Sequence, residues 1–187
     1  MAKRYADDYE TVITTDDKGN EKKIAVYRGE YFKVALDYEG MLQFKRKCLL
    51  LLAVTIALHL SGGFVNNPGM NQFYTGLPYV IAFFPLLYLA MASWRLPQET
   101  RNYQRDEIGL SFGRMKISSY VLMILLGMGV LGEITFLLLF SGGEQPLLEF
   151  LYLGLAILTA TAVYLLITLQ RQISILPVAD NNKNHMS

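Results

Sequence analysis

The stretch CLLLLAVTIALHLSGGFVNNPGMNQFYTGLPYVIAFFPLLYLAMASW, Cys48 to Trp94, decides the fold, because its 47 consecutive residues include no Asp, Glu, Lys or Arg. A soluble domain keeps one face of each element in water and therefore places charges every few residues. A second stretch, Ile117 to Gln170, holds three charged residues, Glu133, Glu144 and Glu149. Over the whole chain of 187 residues, 52% are hydrophobic and 18% charged. That distribution excludes a soluble globular enzyme and a disordered chain and points to an integral membrane protein.

A helix needs about 20 apolar residues to cross ~30 Å of hydrocarbon. Four segments fit: Cys48 to about Val65, Leu77 to Trp94, Ile117 to Phe140 and Leu147 to Leu169. The first two are short and span if Lys45, Arg46 and Lys47 snorkel at one end. Pro78 suits the first turn of the second helix, whereas Pro85 lies mid-span, removes a backbone hydrogen bond and predicts a kink. The first stretch follows a long polar segment and precedes another span, so it reads as a transmembrane helix rather than a signal peptide. The expected fold class is an all-α integral membrane protein: a four-transmembrane-helix bundle of two hairpins, with a small N-terminal β-hairpin or three-stranded sheet.

Orientation follows from the charges. Residues 1 to 47 hold ten basic and nine acidic side chains, residues 95 to 116 hold five and three, and residues 171 to 187 hold two and one. The connections 61–76 and 141–146 contain no basic residue. Lys and Arg are retained on the cytoplasmic side, which places both termini in the cytoplasm of a plasma-membrane, multi-pass protein. The domains are then a cytoplasmic segment 1–47, a transmembrane domain 48–170 and a cytoplasmic tail 171–187. With 17 basic against 16 acidic residues and no clustered basic face, no nucleic-acid partner is expected. One cysteine, Cys48, and two distant histidines leave no ligand set for a metal, and no cofactor is expected.

Within residues 1–47, Tyr9–Thr15 and Lys22–Tyr27 are rich in β-branched and aromatic residues and flank a turn containing Gly19 and Asn20, which predicts a β-hairpin. Residues 31–38 fit either a third strand beside that hairpin or a helix face. A turn of interfacial helix is expected near Met41–Lys47. Ser-Gly-Gly recurs at 61–63 and 141–143, and Phe-x-Arg at 44–46 and 112–114. The Arg-to-Ser intervals differ, 15 against 27 residues, so these echoes read as common turn composition rather than duplication.

Ionisable groups inside hydrocarbon are costly, which singles out Glu133 and His59. Each lies on the order of 10 Å below the outer boundary at about 1.5 Å per residue. Facing each other, with Thr55 one turn below His59, they would form a proton- or cation-binding site. Alternatively Glu133 fixes helix packing, or bonds to a partner's helix, while His59 anchors at the interface. Glu144 and Glu149 are expected to be too shallow to need partners. Gly127, Gly129 and Gly132 suit close helix approach. No metalloprotease, serine hydrolase or paired-aspartate motif occurs, so no catalytic residue is assigned. The expectation is a non-enzymatic accessory or assembly subunit of a membrane complex, partnered by the bilayer and by another membrane protein or its own copies. The alternative is a small proton- or cation-coupled transporter using Glu133 and His59.

Overall fold

The structure, a computed structural model, describes residues 3–15, 21–140 and 146–178. The turn expected at 16–20, the Ser-Gly-Gly echo at 141–143, Glu144 and the end of the tail lie outside the described residues.

Chain order is β1 (Tyr9–Thr15), β2 (Glu21–Tyr27), β3 (Tyr31–Val34), α1 (Tyr38–Gly63), α2 (Phe73–Ile81), α3 (Phe83–Trp94), β4 (Tyr103–Gln104), α4 (Arg105–Ile108), α5 (Arg114–Leu139), α6 (Pro146–Arg171) and β5 (Ile175–Pro177). The hairpin forms as its composition predicts, Tyr9 opposite Tyr27 and Thr15 opposite Glu21. The expected third strand does not join it. β3 lies in a separate antiparallel sheet of order β4-β3-β5, Phe32 facing both Tyr103 and Pro177. Both edges of β3 are already taken there, Tyr31 and Phe32 pairing with β4 and Phe32 to Val34 with β5, segments that follow α3 and α6. This sheet gathers segments preceding α1, following α3 and following α6, so the chain leaves it and returns twice. Residues 31–34, 103–104 and 175–177 thus share one end of the molecule, called here the sheet end.

Asp37 caps α1, its carboxylate accepting from Gly40 N at 2.9 Å. That cap starts the helix ten residues before Cys48, and the expected interfacial turn near Met41–Lys47 is part of this same helix. Ser61, Gly62 and Gly63, expected as a turn, form its last residues. α2 also starts early, at Phe73, so Pro78 stands in its second turn rather than its first. The missing Pro78 N–H leaves Tyr74 O without its helical donor. A Cβ placed on Gly132 would lie 2.7 Å from that oxygen, so the glycine is what lets α5 approach α2. The predicted kink is present: α2 and α3 are separated at Ala82, just before Pro85, whose ring nitrogen has no proton for the preceding turn.

Among the described residues three segments are long and apolar enough to cross a membrane: Phe73–Trp94, Arg105–Leu139 and Pro146–Arg171. The fold is therefore mostly helical with three candidate spans, and the four-span bundle expected from the sequence is met in three of its members. α1 is a fourth long helix that falls outside these three. Its apolar run is bounded by Lys45, Arg46 and Lys47 and interrupted by His59 and the Ser-Gly-Gly end. α5 packs on α2, α3 and α6, and α6 packs also on α1. Met41, Cys48, Leu89, Met115 and Leu166 are fully buried between them. Outward-facing residues are equally apolar: Leu50, Phe84, Leu87, Ile124, Leu131 and Leu138 are all more than half exposed. So much uncovered aliphatic and aromatic surface is stable in lipid and not in water.

Candidate functional site

A cluster of buried polar groups lies at the end opposite the sheet. The connection after α1 enters a 3-10 turn, Pro68–Asn71, preceded by Asn67 in an extended conformation. This turn folds inward between α5 and α6. Asn67 is 2% exposed, and Glu133 on α5 and Glu149 in the first turn of α6 are fully buried. Asn67 Nδ2 donates to Glu149 Oε2 at 2.8 Å and to Glu133 Oε1 at 3.3 Å. Gly69 N donates to Glu149 Oε1 at 3.2 Å. A Cβ on Gly69 would lie 2.5 Å from Glu133 Oε2 and 2.8 Å from Glu149 Oε2, so this position is held to glycine by the carboxylates themselves. One amide and one backbone N–H thus join three segments far apart in sequence.

His59 is buried on α1 at 3% exposure, but its side chain meets rings rather than carboxylates. It stacks on Tyr79 at 4.4 Å between centroids and meets Phe83 edge-on at 4.7 Å. Tyr79 donates to His59 O at 3.0 Å, which ties α1 to α2 through the backbone. Among the described residues His59 Nε2 has no hydrogen-bond partner, and His59 borders a cavity of about 20 Å³ shared with Gly62, Gly129, Tyr152 and Thr159. Thr55 is buried, with its hydroxyl bonded to Leu51 O at 2.7 Å. Of the three residues singled out from the sequence, Glu133 enters the polar cluster. Thr55 closes its bond within its own helix, and among the described residues no hydrogen bond joins His59 to Glu133.

The cluster holds three residues that the sequence did not single out: Glu149, Asn67 and Gly69. Glu149 was expected to be shallow and unpartnered, and the structure corrects this, because the inward fold of residues 67–71 covers the first turn of α6. A signal was available. Segments 48–94 and 117–170 contain no Lys or Arg, so any acid at that end has to take its bonds from neutral donors. Asn66, Asn67, Asn71 and Gln72 are the amides of that connection.

At the sheet end the polar chemistry is ordinary. Lys45 donates to Leu96 O at 2.8 Å, where α3 has run out of helical donors. Tyr9 donates to Gln104 and Asp106, and Arg105 N donates to Tyr27 Oη, so the hairpin is tied to the start of α4. A cavity of about 380 Å³ between α5 and α6 is lined by Phe112, Met115, Lys116, Tyr120, Ile167 and Arg171 among others. Arg171 bonds the Tyr120 hydroxyl there.

Fold and site together define a class: a helical membrane protein with a small folded platform at one end and a sealed acidic cluster at the other. Compared with known proteins, the chain matches no family model, no curated sequence and no solved structure.

Proposed function

We propose that the chain is a non-enzymatic accessory or assembly subunit of a plasma-membrane complex, anchored by four helices with both termini and the hairpin in the cytoplasm. The observation that carries this reading is the β1–β2 ribbon. Val12 pairs with Ile24, and Val26 with Glu10, so Val12, Ile24 and Val26 share one face of it. Ile24 and Val26 are exposed, as is Ile13 on the other face at 58%. Few monomers keep aliphatic residues uncovered on a projecting two-stranded ribbon, which is marginal alone and offers open edges for pairing. A protein surface presenting an apolar groove or a strand edge would complete it. Ties at Tyr9, Tyr27 and Arg105 hold the ribbon to α4 at one end and leave the rest projecting.

The test is co-purification in mild detergent with an Ile24→Asp variant as control. A partner, or a second copy, held by the native chain and released by the variant supports the proposal. A lone monomer from native membranes, or a partner held equally by both chains, sinks it. Coupled transport through Glu133 and His59 is the second reading. The packing of His59 on Tyr79 and Phe83, away from the hydrogen bonds of Glu133, gives it less support than the ribbon gives the first.

A further inference from the structure

We infer that Glu133, Glu149 and Asn67 form a binding site for a single cation, a metal ion or a proton, that holds the connection 64–72 against the end of the bundle. Charge balance is the starting point. Two carboxylates share one amide nitrogen at 3.3 and 2.8 Å, and both are fully buried. Ionised together they would place two negative charges in a region of low dielectric, an arrangement that burial alone makes very costly. Neutral donors soften that cost but do not cancel it.

Among the described residues no side chain supplies the cancelling charge. Lys and Arg are absent from segments 48–94 and 117–170, which include the connection and the parts of both helices that build the cluster, while Arg114, Lys116 and Arg171 stand at the opposite ends of those helices. The other titratable groups at that end, among the described residues, are Tyr152 on α6, Tyr74 and Tyr79 on α2 and His59 on α1. Among the described residues none of them hydrogen-bonds to either carboxylate, and the His59 ring is taken up by Tyr79 and Phe83. Glu144 belongs to the same end by sequence and lies outside the described residues.

A second observation points inward. Asn67 Oδ1, on a residue 2% exposed whose side-chain nitrogen touches both carboxylates, receives no hydrogen bond among the described residues, and neither does Glu133 Oε2. Two buried oxygens of the cluster lack a donor, and Glu133 Oε2 and Glu149 Oε2 come together at Gly69, so a hard cation would take oxygens of both carboxylates as ligands and an acid proton on one carboxyl would be donated to the other. Either would bridge what the amide bridges from its other side. The cluster joins the connection to α5 and α6, so losing the bound charge releases the connection.

The experiment uses the full chain in mild detergent, wild type beside Glu133→Gln and Glu149→Gln. Thermal unfolding is followed from pH 5 to 8 in chelator alone and with added Na⁺, K⁺, Mg²⁺ or Ca²⁺, and the infrared carbonyl stretch of protonated carboxyls is recorded in parallel. For a bound metal ion, one of these salts raises the wild-type Tm by several degrees, saturably and at fixed pH, and both variants lose the response. For a bound proton, a carboxyl band is present in the wild type and lost in a glutamine variant, and the wild-type Tm rises as pH falls without any metal. A wild-type Tm independent of both pH and these cations, with no protonated-carboxyl band, overturns the proposal. That result needs neither variant to fold.

Discussion

The two ends of the molecule handle charge in opposite ways. At the sheet end, Arg28 meets Glu10 and Arg101 meets Glu107, pairs of opposite sign at the surface, where water shares the work. At the other end two carboxylates are fully buried among neutral donors, with no cationic side chain in the segments that surround them. Polar contacts at the first end are numerous and individually weak, whereas those at the second are few and each serves several segments. Substitutions should therefore have unequal effects at the two ends, and the sharpest tests lie at the acidic cluster.

The largest loss is expected from Asn67→Leu. Both carboxylates lose their shared donor, and a hydrogen bond to a charged group is worth roughly 1.5–3 kcal/mol, so destabilisation of about 3 kcal/mol is expected. Thermal unfolding in detergent measures it, and proteolysis of the connection 64–72 should rise in step. A variant as stable as the parent would mean that Asn67 holds nothing.

Gly132→Ala comes next. The new methyl would meet Tyr74 O, a backbone atom that cannot rotate away, and overpacking of this kind typically costs about 1–3 kcal/mol. Gly127 and Gly129 on the same helix meet nothing within 4 Å of an added Cβ, so alanine there should be close to neutral. The same unfolding assay on the three variants separates the glycine that packs from the two that do not.

The contrast between the ends also marks what could be read beforehand. The hairpin was legible because Tyr9–Thr15 and residues 21–27 carry strand composition over seven residues each, and the spans because charge is missing for longer than any soluble helix allows. The β4-β3-β5 sheet was not, since β4 is two residues long and β5 three, too short for any periodicity, and their pairing is fixed by where α3 and α6 end. Pro85 announced its break through backbone chemistry alone, whereas Pro78 depended on a helix start that no capping side chain marks. At the site, Glu133 was legible from its depth in an apolar run. Glu149 was not, because its burial is made by Pro68–Asn71 folding inward, a tertiary event that depth along a helix does not encode.

At the sheet end a middle-sized effect is expected from Lys45→Met, which keeps the aliphatic stem but removes the donor to Leu96 O and should cost about 1 kcal/mol. Tyr9 adds a dependence on pH. Partial burial, and then the Asp106 carboxylate at its hydroxyl, hold its pKa above the ordinary 10.0. A group that keeps its proton better in the folded state contributes stability below its unfolded pKa and loses it as pH rises through the folded one. The tie between hairpin and α4 should accordingly weaken above about pH 10 and not on acidification, and Tyr9→Phe should remove that dependence. Thermal unfolding reads the Lys45→Met loss, and amide exchange in β1 against that in α5 reads the Tyr9 effect, since only the ribbon should respond to it.

The smallest effect is expected from Arg28→Ala. The Arg28–Glu10 pair is 3.1 Å apart, but its side chains are 67% and 62% exposed, so solvent and salt already screen most of the attraction. Exposed pairs of this kind contribute roughly 0.2–1 kcal/mol, and the loss should shrink further in high salt. Asn67→Leu should keep its full effect at the same ionic strength, because its partners are sealed from counterions. Unfolding both variants at low and high salt compares the two ends directly. If the salt dependence of Asn67→Leu matched that of Arg28→Ala, the acidic cluster would be open to solvent and the contrast between the ends would collapse.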